Sequence, residues 1–336
     1  MQHLKIQAAS WAVLSVILLG APAMAEDSAD KRTVAELQTA AQSGEITATR
    51  ALGILYYEGK TVPADYPKAF AFFKTGADKG DARSQYYLGL MYSNGEGVTE
   101  DDKTAFAWAL KAAQQGDSKG QNLLSYFYRY GEGVEKDEPK GLEWLRKAAD
   151  QGLADAQEVL GYLYLVGESG LAKDEKAAFI WYKKAADGGD ESARRQVAFM
   201  LLTGKGATKD TKAGLDSLKE AAREKSTGVT SLGLVYLNGI GVPADYGKAL
   251  TYLTQAANEG DAYGQYKLGA MYENAMGVKQ NRVEAMRWYL LAAAQEDDDA
   301  IAALDFIGKQ MSGGDKTKAR ALAKAFKPVP HAAPAT

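Results

Sequence analysis

The chain has 336 residues, 46% of them hydrophobic, and a formal net charge of −3 at neutral pH. It therefore has enough apolar side chains for one large folded body or two domains. The sequence contains no dense run of Lys and Arg, which argues against a nucleic-acid footprint and against a polybasic membrane surface.

The N-terminus has the pattern of a secretory signal peptide over residues 1–25. Lys5 precedes an apolar stretch, and an A-x-A cleavage site ends at Ala25. The apolar stretch is shorter than the ~20 residues that a membrane span needs, which favours a cleaved signal over an anchor. The sequence has no Cys, which removes lipid attachment through a cysteine after the signal. We therefore expect a soluble protein in a bacterial periplasm, or a secreted one.

A pattern of about 36 residues recurs seven times between residues 48 and 299. One column of small residues recurs at steps of 35 to 37 residues: Gly53, Gly89, Ser125, Gly161, Ala198, Gly233 and Gly269. A second column, mostly aromatic, has the same spacing: Phe72, Trp108, Trp144, Trp181, Ser217, Tyr252 and Trp288. Two columns in register over seven copies indicate an array of structural repeats. We expect the aromatic column to be core, because apolar residues at helical spacing beside paired alanines are more often core than ligand-stacking.

Each repeat begins with a segment that reads as an α-helix, the first helix of the repeat. In the fourth repeat Ala156, Leu160 and Tyr164 stand at i, i+4 and i+8, which is one face of a helix. Glycine closes this segment in most repeats, and glycine readily adopts the left-handed conformation that ends a helix. The closing glycines are Gly95, Gly131, Gly167, Gly204 and Gly239.

A second helix in each repeat is marked by a column seven residues before the aromatic one. The column is Asp65, Asp101, Asp137, Asp174, Asp210, Asp245 and Asn281. Their side-chain oxygens can accept hydrogen bonds from the free N–H groups of a first helical turn. Because every repeat carries such a residue, the column predicts helix caps rather than a catalytic or metal site.

Half-repeats flank the array on both sides. Residues 26–47 contain a pattern that resembles a lone second helix, and residues 300–327 contain a similar incomplete repeat, as expected for capping segments. Residues 328–336 are rich in Pro and Ala and predict a disordered tail. The sequence thus predicts an all-α, right-handed α-solenoid of stacked helix-turn-helix repeats.

These repeats resemble the Sel-one-like repeat (SLR) family, relatives of the tetratricopeptide repeats. The fourth repeat matches the family pattern at Ala156, Leu160, Gly161, Tyr164, Gly167, Asp174, Lys176, Ala177, Trp181, Tyr182, Lys184, Ala185, Ala186 and Gly189. The fifth repeat departs most, with Ala198, Leu201 and Ser217 at marker positions and one residue missing near Lys225. This predicts a local weak point or a change of superhelical pitch there.

The residue inventory excludes much enzyme chemistry. The two histidines, His3 and His331, lie in the signal and the tail, so the array has neither His nor Cys. Histidine-activated nucleophiles and zinc sites built on His or Cys are therefore excluded. The acidic run at 296–299 lacks the alternating ligands of a calcium loop. We expect no enzyme activity, no cofactor and no metal.

Two alternative functions stay open. Ser28-x-x-Lys31 and Lys74-Thr75-Gly76 match two motifs of penicillin-recognising enzymes, although the S-D-N element is absent. A penicillin-recognising envelope enzyme is one alternative. A secreted host-interaction (virulence) factor is the other, because the resemblance includes host-interacting proteins as well as signalling regulators and export scaffolds.

The resemblance to tetratricopeptide repeats implies that first helices line a concave face that binds a protein or peptide. Aromatic residues and Arg anchor interfaces most often. The positions implied for partner binding are Arg50, Tyr86, Tyr126, Arg129, Tyr130, Glu158, Tyr162, Arg195 and Tyr266. We predict a monomeric scaffold or adaptor in the cell envelope, with no nucleic-acid partner and no integral membrane segment after signal cleavage.

Export predicts cleavage after Ala25, because small residues at 23 and 25 follow an apolar core. N-terminal sequencing of the mature protein should begin at Glu26. An uncleaved product in the cytoplasm would contradict the prediction.

Overall fold

A computed structural model describes residues 32–334, which contain seventeen α-helices and no β-strand. The predicted signal peptide lies outside the described residues. The chain divides into two compact bodies, an N-terminal body that ends at Gly188 and a C-terminal body that begins at Gly189. The N-terminal body contains α1 (Val34–Gln42), α2 (Ile46–Glu58), α3 (Tyr66–Asp78), α4 (Ala82–Asn94), α5 (Asp102–Gln114), α6 (Ser118–Tyr130), α7 (Glu138–Asp150), α8 (Ala154–Val166) and α9 (Glu175–Asp187). The C-terminal body contains α10 (Glu191–Thr203), α11 (Thr211–Glu224), α12 (Ser226–Asn238), α13 (Tyr246–Asn258), α14 (Ala262–Glu273), α15 (Arg282–Ala293), α16 (Asp298–Gly308) and α17 (Gly313–Lys324).

Seven helix pairs correspond to the seven predicted repeats. Repeats 1–4 are α2/α3, α4/α5, α6/α7 and α8/α9, and repeats 5–7 are α10/α11, α12/α13 and α14/α15. Within each body every helix up to α15 packs against its neighbours along the chain, and α16 and α17 both pack against α15. The all-α architecture of repeated helix pairs is therefore confirmed.

The predicted caps are confirmed in all seven repeats. Asp65, for example, accepts a hydrogen bond from the backbone N–H of Lys68 at 3.1 Å, and Asn281 caps α15 in the same way. Six of the seven first helices end at a glycine with positive φ, such as Gly131 at 78°, and α14 has Asn274 there instead. Most first helices are also capped by an aspartate that the repeat pattern did not single out. These are Asp81, Asp117, Asp190 and Asp261.

The column of small residues marks the closest approach of the two helices in each repeat. A Cβ at Gly161 would lie 2.9 Å from the ring of Tyr182, a distance that real Cβ atoms do not tolerate. In repeats 3 and 5 the column holds Ser125 and Ala198 instead. The facing helix then has Gly141 or Gly214, where the other five repeats have alanine. The side chain added to one helix is thus offset by one removed from the other.

The aromatic column is less buried than predicted. Trp288 is 4% exposed because Phe326 packs edge-on against it at 5.6 Å between ring centroids. The other three tryptophans are half-buried, each packed against the core on one side and covered by a lysine on the other. The ammonium groups of Lys111, Lys147 and Lys184 lie 3.8–3.9 Å from the ring centroids of Trp108, Trp144 and Trp181. The ring faces are occupied by the chain itself, which supports a packing role over ligand stacking.

Buried glutamines link successive repeats. Gln85 donates to the backbone oxygen of Ala77, and its side-chain oxygen accepts from Gln115 at 2.7 Å. The same arrangement recurs with Gln121 and Gln151 at 2.7 Å. Since buried amides are costly unless hydrogen-bonded, these pairs fix how one repeat sits on the next.

Both ends of the array are closed by extra helices. Thr33 and Glu36 form a reciprocal capping box at the start of α1, whose Leu37 is fully buried. At the other end α16 and α17 pack against α15, and Ile307 and Ala319 join its core. The predicted capping half-repeats therefore correspond to helices.

The segment after α17 contains most of the predicted tail, whose disorder stays a prediction. It has no regular secondary structure, but it lies against the C-terminal end of α13. The backbone N–H of Val329 donates to the carbonyl of Asn258 at 2.9 Å, and His331 Nδ1 lies 2.7 Å from Glu259 Oε2. The last carbonyl groups of a helix have no hydrogen-bond donor within the helix. The backbone N–H of Val329 is the donor for the carbonyl of Asn258, the last residue of α13.

The residue that the fifth repeat lacks is missing from the turn between its second helix, α11, and the next first helix, α12. Lys225 alone joins α11 to α12, with an extended backbone at φ −150°, where other repeats turn through a glycine such as Gly116. The effect on local stability stays a prediction.

The partial burial of Trp144 predicts a modest cost for its removal. Trp144→Ala should cost about 1–2 kcal/mol, below the 3–5 kcal/mol typical of a fully buried ring, whereas Leu145→Ala, at 0% exposure, should cost about 3 kcal/mol. Denaturant midpoints of the two variants would test this order. An equal or larger loss from Trp144→Ala would contradict the partial burial.

Candidate partner-binding surface

The nine residues predicted to bind a partner fall in both bodies. Arg195 and Tyr266 belong to the C-terminal body, and the other seven belong to the N-terminal body. Each body therefore has its own set, and the N-terminal set is the larger one.

Four of the predicted residues are engaged or buried within the fold, and one of them is Arg129, which is 7% exposed. Arg50 forms an ion pair with Asp81, the cap of the next first helix, at 2.7 Å. Glu158 is buried, and so is Tyr126, which is only 9% exposed. Arg50, Tyr126 and Glu158 therefore offer little surface to a partner.

The structure brings four predicted residues together at the ends of α6 and α8. The rings of Tyr126 and Tyr130 lie 4.8 Å apart, and the guanidinium of Arg129 lies 5.4 Å from the ring centroid of Tyr130. Tyr162 on the next first helix is close enough to Tyr130 and Arg129 for their charges to influence its pKa. Tyr130 is 37% exposed, and Tyr162 is half-buried. We call Tyr126, Arg129, Tyr130 and Tyr162 the tyrosine cluster.

Tyr86, on α4, extends the aromatic surface toward the N-terminus. Its ring lies 5.0 Å from that of Tyr87 and packs beside Tyr57 against the core between repeats. Both Tyr57 and Tyr86 also contact the buried cluster that contains Tyr126. First helices α2, α4 and α6 therefore share one aromatic surface within the N-terminal body.

Three glutamates that the sequence analysis missed border this surface. Glu96 accepts a hydrogen bond from the Tyr57 hydroxyl, and Glu132 accepts one from Tyr126, each at 2.7 Å. Glu168 occupies the same place in the next repeat. Each follows the glycine that closes a first helix, in three successive repeats, and this recurrence was the available signal.

The glutamates and the burial of the rings shape the local electrostatics. Burial, and next the hydrogen bond to Glu132, raise the pKa of Tyr126 far above its usual value. Burial also raises the pKa of Glu132. The pKa of Tyr162 is raised by burial and then by the negative charge of Glu168. Tyr126 and Tyr162 therefore stay neutral at physiological pH, and the hydroxyl of Tyr126 donates to Glu132.

A pocket of about 200 Å³ opens beside the tyrosine cluster. It is formed where the end of α6, the start of α7 and the loop after α8 meet. The lining residues are Arg129, Tyr130, Lys136, Glu138, Glu168 and Ser169. It is a concave feature large enough for a side chain of a partner.

In the C-terminal body Tyr266 lies in a smaller aromatic group. Its ring is 5.8 Å from Tyr289 and 6.0 Å from Tyr263, and the ammonium of Lys267 lies 4.6 Å from its centroid. Arg195 lies near Asp190. Burial raises the pKa of the Asp190 carboxyl, and the positive charge of Arg195 opposes part of that rise. The two predicted residues of this body are thus in different settings.

Other chemistry finds no support in the described part of the chain. Lys74-Thr75-Gly76 lies inside α3, where Thr75 bonds the backbone of its own helix, and not on a strand facing a nucleophile. Ser28 and Lys31 lie outside the described residues. Within residues 32–334 no cluster of three potential metal ligands occurs. No helix in this range is both long and apolar enough to span a bilayer.

The repeat geometry agrees with a known repeat model. The Sel1 repeat matches residues 46–81, 82–117, 118–153, 154–190, 192–226, 230–261 and 262–297. The chain belongs to the Sel1 repeat family. Sel1 repeats typically mediate protein interactions, so a protein-binding scaffold is consistent with the fold.

Solved structures with the same fold include a Sel1 repeat protein from Oxalobacter formigenes. It is 29% identical, with a TM-score of 0.62, and the match covers 73% of this chain and 96% of that one. A protective antigen of uropathogenic Escherichia coli with an SLR fold is 27% identical, with a TM-score of 0.46, over 87% of this chain and 71% of that one. The Helicobacter pylori cysteine rich protein B is 23% identical, with a TM-score of 0.32, over 39% of this chain and 98% of that one. No curated protein sequence matches the chain.

Burial separates two neighbouring tyrosines into structural and accessible roles. Tyr126→Ala should lower the free energy of unfolding by about 3 kcal/mol, because it empties a buried site and leaves Glu132 without its donor. Tyr130→Ala should cost less than about 1 kcal/mol, as expected for an exposed side chain. Thermal unfolding of both variants checks the difference, and an equal loss would refute the assignment.

Proposed function

We propose that this chain is a scaffold that binds a protein or peptide partner on the surface formed by first helices α2, α4, α6 and α8. The observation that carries the proposal is the tyrosine cluster beside an open pocket. Tyr and Arg are the side chains that most often dominate binding energy at interfaces. Here they are grouped at the ends of adjacent first helices rather than scattered over the surface.

The accessible part of the cluster is suited to an extended segment of a partner. Tyr130 and Tyr162 present ring surface on adjacent first helices, and Arg129 and Tyr130 line the pocket. Rigid aromatic side chains contribute contact area at low entropic cost. The buried ring of Tyr126 packs against the ring of Tyr130. The hydroxyl of Tyr126 donates a hydrogen bond to Glu132, which fixes the position of its ring.

The proposed place of action is the bacterial cell envelope. The support is the signal-like pattern of residues 1–25 and the absence of Cys. The mature scaffold would then meet its partner in the periplasm or outside the cell.

Binding should depend on Tyr130, which is exposed, and on Tyr162, which is half-buried. The partner is first captured from envelope extract and purified. The double variant Tyr130→Ala with Tyr162→Ala should then reduce the free energy of binding this partner by more than ~2 kcal/mol. The melting temperature should change little, because neither ring is fully buried. Isothermal titration with each variant measures the loss directly.

A matched control lies on the second helices of the same body. Glu143→Ala on α7 with Ile180→Ala on α9 removes two exposed side chains from second helices. Lys147 is unsuitable for this purpose because its ammonium covers the ring of Trp144. Equal loss of affinity from both double variants, or loss from the control alone, would place the binding surface elsewhere.

A further inference from the structure

The pocket beside the tyrosine cluster contains a buried cation without a counter-charge. Arg129 is only 7% exposed. Its one side-chain hydrogen bond runs from Nε to the Ser169 hydroxyl oxygen and is long, at 3.4 Å. Within residues 32–334 no carboxylate oxygen lies within 4.0 Å of its nitrogens. Buried arginines are almost always paired, because an isolated charge loses its hydration.

The carboxylates nearest to Arg129 do not neutralise it. Glu138 forms an ion pair with Lys136 at 2.6 Å. The pKa of Glu138 is lowered first by that hydrogen bond and only in smaller part by Ser169 and by the charge of Arg129. Glu168 is exposed at the rim of the pocket, where water solvates its charge. Neither Glu138 nor Glu168 therefore forms an ion pair with Arg129.

This cation is particular to the third repeat. The equivalent positions in the other repeats hold Tyr57, Ser93, Leu165, Leu202, Leu237 and Glu273. Arg129 fits because Gly141, on the facing helix, has no Cβ to meet its Cγ. The opposite wall comes from the loop after α8, which has one residue more than its counterparts and holds Ser169 in the left-handed conformation at φ 54°.

We propose that this pocket binds a carboxylate of the partner peptide, with Arg129 as its counter-ion and Tyr130 packed against the group that carries it. The planar guanidinium can donate two parallel hydrogen bonds to a carboxylate. The volume of about 200 Å³ leaves room for the carboxylate and the carbons attached to it. The proposal rests on the function proposed above, since it names the chemistry of one contact of that partner.

The test uses the whole mature protein and small probes, so it needs no knowledge of the partner. Acetyl-dialanine carries a free terminal carboxylate, its amide carries none, and acetyl-Ala-Asp-Ala-amide carries only a side-chain carboxylate. The probes are titrated against ¹⁵N-labelled protein while the Nε–H signal of Arg129 is followed by NMR. We expect a saturable shift with a Kd of about 1 mM for at least one carboxylate probe and none for the amide.

Variants separate recognition from a structural role. Arg129→Met should abolish the saturable shifts of neighbouring backbone signals and leave the unfolding midpoint unchanged or higher, because a buried unpaired charge has been removed. Arg129→Lys should weaken probe binding at least tenfold, because a lysine cannot form the two-bond fork. Arg146→Met, which removes an exposed arginine of α7, should change neither measurement.

The outcomes distinguish this proposal from the scaffold function. The carboxylate that saturates identifies the source as a chain terminus or an acidic side chain. Saturation by neither carboxylate probe, or equal saturation by the amide, overturns the proposal, and so does unchanged binding to both Arg129 variants. One result would separate the two proposals. If the double variant Tyr130→Ala with Tyr162→Ala no longer binds the captured partner but Arg129→Met and Arg129→Lys still bind it, the scaffold function is supported and the carboxylate pocket is refuted.

Discussion

The fold depends on one close contact that is made seven times, where the first helix of a repeat crosses the second. The helices approach so closely that one of the two facing positions must lack a Cβ. Gly161 lies against the ring of Tyr182, and Gly233 lies against Leu253. Where the first helix has Ser125, the second has Gly141, so the total volume at the crossing stays small. This contact sets the spacing of each pair, and the buried alanines and leucines on either side pack at that spacing.

The close pairs are joined to one another by polar groups that are buried at the junctions. Gln85 and Gln115 bridge consecutive repeats, as do Arg50 and the capping Asp81. Such groups are well satisfied and therefore specify one arrangement of neighbours. The consequence for function is that a polar residue on a first helix can be part of the scaffold. Arg50 is an example, since its guanidinium forms an ion pair with Asp81, which caps the first helix of the next repeat.

The surface around the tyrosine cluster combines accessible aromatic rings with the guanidinium of Arg129, which forms no ion pair among residues 32–334. Tyr130 is exposed at the end of α6, and Tyr162 on α8 is half-buried. Arg129, next to Tyr130, lines the pocket and forms no ion pair with a carboxylate in the part of the chain that the structure describes. A buried ion without a partner is unfavourable to folding by itself. Its presence beside exposed tyrosines points to a ligand that completes the site.

The sequence by itself determined the repeats, the helix limits and the caps. Each of these depends on residues three to eight apart, such as Asp65 with the first turn of α3, and such interactions are complete within one repeat. Only the tertiary structure decided which residues of the predicted stripe are accessible. Tyr126 and Tyr130 are one helical turn apart, yet one is buried and the other exposed, because burial depends on the neighbouring repeats. The pocket likewise needs Arg129, Glu138 and Ser169, which come from three separate segments and meet only when the helices stack.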